Sequence, residues 1–160
     1  VIALSPAPAS TGAALRQWAA SATGTSQYGT SSWSFGQATG EPNTTICADR
    51  STAWASASSL GRDSLTLSYE TAVVPVQINI HQTYTPGSIT QVEVGNARTG
   101  DFVVLPNSAD PPGNTPCPGV FTVNVTGVSI LVDTVRITVD QTIGGNWNEI
   151  DAVELVGSAR

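Results

Sequence analysis

Leu65-Thr66-Leu67-Ser68-Tyr69 and, a few residues on, Val74-Pro75-Val76-Gln77-Ile78-Asn79-Ile80-His81 alternate apolar and polar side chains. A period of two puts one set on a buried face and the other on a solvated face, the mark of strands in antiparallel sheets. The pattern recurs downstream. Val92 and Val94 alternate with Gln91 and Glu93, and further runs are Phe102–Leu105, Val120–Val125, Val135-Arg136-Ile137-Thr138-Val139 and Val153-Glu154-Leu155. Turn-forming clusters separate them: Thr85-Pro86-Gly87-Ser88, Thr99-Gly100-Asp101, Asp110-Pro111-Pro112-Gly113-Asn114 and Ile143-Gly144-Gly145-Asn146. Seven or eight short strands with regular turns predict an all-β antiparallel sandwich. Pro75 cannot donate to a ladder and is expected at an edge or a bulge.

Upstream of Leu65 the pattern is weaker. Gly24 to Gly40 is rich in Ser, Thr and Gly, with Tyr28, Trp33 and Phe35 interspersed. It reads as ordered loop with one helical turn near Ser34–Ala38. Ala13 to Ala20 suits a helix or a strand. Val1-Ile2-Ala3-Leu4 is apolar, and Ser5-Pro6-Ala7-Pro8 keeps the chain extended. Residues 1–16 are therefore read as an extended tail and 17–160 as one sandwich domain.

Composition narrows the function. The charged fraction is 11% against the usual ~25%, so Ser, Thr, Asn, Gln and Gly must cover the surface. All six basic residues are Arg, and 12 acids leave a net charge of -6. Phosphate neutralisation drives nucleic-acid binding, and this chain is poorly equipped for it and for anionic membranes. No run approaches a membrane span. The absence of Met implies that Val1 is not the original start: either a leader was removed or the chain is a fragment of something longer, and a lost secretory signal peptide is the simplest account. In an exported chain, Cys47 and Cys117 are expected to form a disulfide rather than remain two free thiols. Asn43-Thr44-Thr45 and Asn124-Val125-Thr126 are N-glycosylation sequons, at Asn43 and Asn124.

Catalytic patterns are lacking. His81 is the one His, with no nucleophile elbow, no metal-binding His-Glu-x-x-His stretch and no phosphate-cradling glycine loop. Glu149 and Asp151 alternate and so can face the same way, as a glycosidase pair requires. The competing reading is two acids at a strand start, solvated or bonded to a turn. The chain is expected not to be an enzyme.

Gly145-Asn146-Trp147-Asn148-Glu149-Ile150-Asp151-Ala152-Val153-Glu154-Leu155-Val156-Gly157 closely resembles the end of the galactose-binding-like superfamily, which includes discoidin domains and many carbohydrate-binding modules. Ser26-Gln27-Tyr28-Gly29, Ser32-Trp33-Ser34, Gln37 to Asn43, Ala53-Trp54-Ala55 and Thr83 to Gly87 resemble the subgroup found beside F-box leucine-rich-repeat proteins and in bacterial exported proteins. The resemblance spans about residues 17 to 157. It implies a jelly-roll sandwich with ligand sites on loops at one end, and a structural calcium held by a loop and a Glu in the last strand. Glu154 matches that Glu, and Asn43 and Asp49 lie in the matching loop; the alternative is a hydrogen-bonded loop without an ion.

His81, Tyr84, Trp147 and Asn148 are the candidate ligand residues. Tyr84 and Trp147 either stack on a sugar ring or pack on one another over the end of the core. Two functions follow. One is a secreted or cell-surface, non-catalytic module that binds glycan or protein surfaces. The other is a structural subunit of an extracellular filament or surface layer, binding copies of itself through the apolar tail added to a neighbour's sheet edge.

Overall fold

The computed structural model describes residues 14–159. Eight strands occupy them: β1 (Leu15–Trp18), β2 (Ser21–Gly24), β3 (Arg62–Tyr84), β4 (Ile89–Asn96), β5 (Asp101–Val104), β6 (Gly119–Asn124), β7 (Val132–Asp140) and β8 (Glu149–Ser158). A 3-10 turn at Phe35–Ala38 and one α-helical turn, α1 (Gln141–Gly144), complete the regular elements. Leu15 to Trp18 resolves as strand, paired antiparallel with Leu155 to Gly157 and Glu154 on β8. The domain thus starts at Leu15 or before it. Val1–Leu4 and the rest of the stretch through residue 13 lie outside the described residues.

The 23-residue β3 organises the antiparallel sandwich. Its first half pairs with β2 and β7, and β7 continues through β4 to β5. Its second half pairs with β6 and β8, and β8 with β1. One strand therefore belongs to both sheets. Leu65, Leu67, Tyr69 and Val73 face inward on the first half, Ile78 and Ile80 on the second. They meet Val92, Val94, Val135, Ile137 and Val139 from one sheet and Phe121, Val123, Ile150, Val153 and Leu155 from the other.

Inward residues are odd-numbered before the bend and even-numbered after it. The switch is a bulge: Pro75 pairs with Gly157, but Gln77 pairs with Val156, so Val76 is an extra residue. Pro75 thus sits where its missing N–H does least harm. Val76, which the simple alternation places with Ile78 and Ile80, is instead 47% exposed. Gly157 is required opposite, since a Cβ there would lie 2.4 Å from the Val74 carbonyl oxygen.

No helix among the described residues is long and apolar enough to cross a membrane. Cys47 and Cys117 form a disulfide that joins residues 70 apart. Thiol titration of the denatured, unreduced protein is expected to find no free sulfhydryl. Replacing both cysteines with Ala is expected to lower stability by up to ~4 kcal/mol, the chain-entropy value for a loop of this length; an unchanged denaturation midpoint would contradict it.

Candidate functional site

Three loop segments meet at one place on the domain. The first carries Tyr28 and Trp33, the second runs from Asn43 to Ser56, and the third is the Gly145–Asn148 turn before β8. Backbone hydrogen bonds lock the first two together: Trp33 N donates to Ser51 O (3.0 Å), Ala55 N to Trp33 O (3.3 Å) and Tyr28 N to Ala55 O (2.7 Å). Trp54 is fully buried and exchanges backbone hydrogen bonds with Ile150 of β8, tying the second segment to the sheet. Gly145, with φ +69°, closes α1 in a left-handed conformation and turns the chain into Asn146 and Trp147. Asn146 accepts from Trp147 N and donates to the Tyr84 hydroxyl.

The result is a shallow cleft lined by Tyr28, Trp33, Asp49, Ala55 and Trp147. At about 80 Å³ it is too small to engulf a ligand and suits contact with one face of a ring. Tyr28 lies edge-on to Trp33 (5.4 Å between centroids) and to Trp147 (5.7 Å), and is 56% exposed. Trp33 donates its indole N–H to Asp49 Oδ1 (2.9 Å), and Trp147 donates its own to Ser56 O (3.0 Å). Trp33 has φ +53°, a conformation that costs a non-Gly residue ~1–3 kcal/mol.

Two buried carboxyls hold the Asn43–Arg50 loop from beneath. A bulge in β8, where His81 pairs with Ala152 but Gln82 with Ile150, leaves Asp151 as the extra residue. Its carboxylate accepts from Asn43 N (3.0 Å), Thr44 N (3.0 Å) and Thr44 Oγ1 (2.9 Å). Glu149 accepts from Arg50 N (3.3 Å) through Oε1, while its buried Oε2 finds no hydrogen-bond partner. Burial, reinforced by the charge of Asp49, pushes the Glu149 carboxyl up to about 8; Arg50 N–H and the Trp33 indole oppose the rise without cancelling it. Both acids bond to the backbone of this one loop, as the reading of two acids bonded to a turn has it.

The sequence-derived ligand residues do not form one site. Trp147 lines the cleft. His81 lies edge-on to Trp18 at 5.4 Å and lines a different groove, with Thr44, Thr45, Thr83, Pro118 and Val120. Tyr84 is half-buried and supports the turn through Asn146 rather than packing on Trp147. Asn148 is a correction: it is fully buried, accepting from Ser88 N and donating to Gln82 Oε1, so it has no surface to offer a ligand. Tyr28 and Trp33 were the missed cleft residues; large aromatics in a Ser/Gly-rich loop were the available signal.

The proposed calcium set is likewise dispersed. Glu154 bonds Arg16 (2.8 Å) and Asn79 (2.8 Å), five residues along β8 from the Glu149 that underlies the Asp49 loop, or about 16 Å at ~3.3 Å per residue. Asn43 is tied by its backbone to Asp151. Among the described residues, no three His, Cys, Asp or Glu side chains gather to hold a metal. Asn43, Asp49 and Glu154 together do not fit a calcium ion. Asn43 and Asn124 are both exposed.

The family described as the C-terminal SD scarf domain of pappalysin-1 matches residues 8–160. A comparison with curated proteins returned no match. Among solved structures, the chain resembles chitosan-binding module 1 of a Paenibacillus sp. chitosanase/glucanase, with TM-score 0.59 and 14% identity over 86% of this chain and 93% of that one. It resembles the family 32 carbohydrate-binding module of Clostridium perfringens NanJ, solved with galactose, with TM-score 0.59 and 19% identity over 89% and 99%. It also resembles an F5/8 type C domain from Bacteroides fragilis, with TM-score 0.57 and 12% identity over 92% and 93%. The shared fold is the galactose-binding-like sandwich.

Glu149 generates a pH dependence. The fold accommodates its neutral form, so this contribution to stability is complete below the ordinary carboxyl range and is lost as pH rises toward about 8. In chelator, the melting temperature of the native chain is expected to fall by several degrees relative to Glu149→Gln between pH ~5 and pH ~8. Parallel pH profiles for the two proteins would overturn this account.

Proposed function

The chain belongs to the family of the C-terminal SD scarf domain of pappalysin-1, and on that premise we propose that it is a non-catalytic module that binds glycans outside the cell. The observation that carries the proposal is the cleft of Tyr28, Trp33 and Trp147 with Asp49 at its side. Aromatic faces receive the C–H face of a sugar ring, and a fixed carboxylate receives its hydroxyls. The fold, shared with modules solved as chitosan-binding or with galactose, favours glycan over a protein surface. The disulfide supports an oxidising, extracellular setting.

The carboxyls offer no support for hydrolysis, because Asp151 is buried and takes three hydrogen bonds from the loop, and Glu149 is buried beneath it. The alternative of a filament or surface-layer subunit rests on Val1–Leu4, outside the described residues, and no described contact favours it.

A glycan array is the direct test. Binding is expected, and Trp33→Ala or Trp147→Ala is expected to weaken it by ~1–3 kcal/mol with the fold retained by circular dichroism. An array without any bound glycan would remove this reading.

A further inference from the structure

We propose that the cleft selects sugars bearing a free amine, of the glucosamine type, over their N-acetylated and acidic counterparts, with Asp49 receiving the ammonium. This deepens the glycan-binding reading and rests on it. The argument is an inventory of donors and acceptors. The two indole N–H groups of the cleft are already spent, Trp33 on Asp49 Oδ1 and Trp147 on Ser56 O. The Tyr28 hydroxyl is the one remaining side-chain donor among the lining residues. Asp49, held by a single indole hydrogen bond, still has lone pairs to offer. A ligand that fits must therefore bring donors, and an ammonium brings three.

An N-acetyl group keeps one N–H donor but loses the charge and adds a carbonyl acceptor, and a uronate brings a second carboxylate against Asp49. The ring faces add to the preference, because a cation is attracted to the π-face of Trp or Tyr. No basic side chain lines the cleft to offset the charge of Asp49. The adjacent Arg50 lines a different cavity, with Asn43, Thr44, Thr45, Ile46 and Thr52.

The test is calorimetry on the full chain, in chelator and at mildly acidic pH, with glucosamine, N-acetylglucosamine and uronate oligomers of equal length and a lysine-rich peptide of equal charge. The glucosamine oligomer is expected to bind about ten- to a hundredfold more tightly than the N-acetylated one, the range of a charge-assisted hydrogen bond, and the uronate and peptide more weakly still. Asp49→Asn, which keeps an acceptor for the Trp33 indole, is expected to bring the glucosamine preference close to one. Equal or tighter binding of the N-acetylated oligomer by the native chain overturns the inference while leaving glycan binding intact, and needs no variant. A preference that survives in Asp49→Asn overturns the role of Asp49. A lysine peptide that binds as well as the sugar overturns amino-sugar selection in favour of bare charge. Failure of every sugar, on the array as well, removes the glycan-binding reading itself.

Discussion

The sandwich depends on one strand serving two sheets. β3 packs Leu65, Leu67 and Tyr69 inward while it pairs with β7, then Ile78 and Ile80 inward while it pairs with β8. A regular strand cannot do this, because odd and even positions never exchange faces. The chain needs one extra residue between its halves, and Val76 is that residue. The remedy constrains its neighbour too. Gly157 lies opposite Pro75, where a Cβ would strike backbone. Pro75, Val76 and Gly157 form one device split between two strands, and a side chain at position 157 would be felt at the bend of β3.

The site inherits its geometry from irregularities of the same kind. The β8 bulge turns Asp151 toward Asn43 and Thr44, and Glu149 meets Arg50 at the far end of that loop. Cys47 and the bond from Ala48 N to Thr83 O hold the middle. A buried carboxylate must be met by donors or take up a proton. Asp151 meets three donors; Glu149 meets one long bond from Arg50 N and is driven toward its neutral form. Two acids of one sequence motif thus hold the same loop by different means.

The strands were legible because alternation reports burial directly, and the disulfide because two cysteines in a chain read as exported are expected to pair. The faces were less legible. A bulge shifts the face of every residue beyond it without altering composition, so Val76 read as core. Glu154, assigned through the resemblance, instead makes a cross-strand bond to Asn79 and an ion pair with Arg16. Asn148 read as a ligand residue because its polar group could fix sugar hydroxyls, yet it is fully buried. Its burial depends on Gln82 and Ser88, each about sixty residues away, which no local pattern reveals. Trp147 was legible because a large aromatic in a turn must either cap the core or face a ligand, and here its half-buried ring lines the cleft.

What remains is why so much structure supports so small a cleft. Trp33 is held in a conformation that a non-Gly residue reaches at a cost of ~1–3 kcal/mol, and an unsupported loop would relax. It does not relax because Trp33 bonds through its backbone N–H and C=O to Ser51 and Ala55 and through its indole to Asp49. The same second segment is anchored below by Trp54 on Ile150 and by Glu149. A weak contact to one ring face cannot also supply the cost of ordering three loops. If the loops are ordered beforehand by the core and the buried carboxyls, the cost falls on folding rather than on binding, and a few aromatic contacts with one carboxylate suffice for recognition.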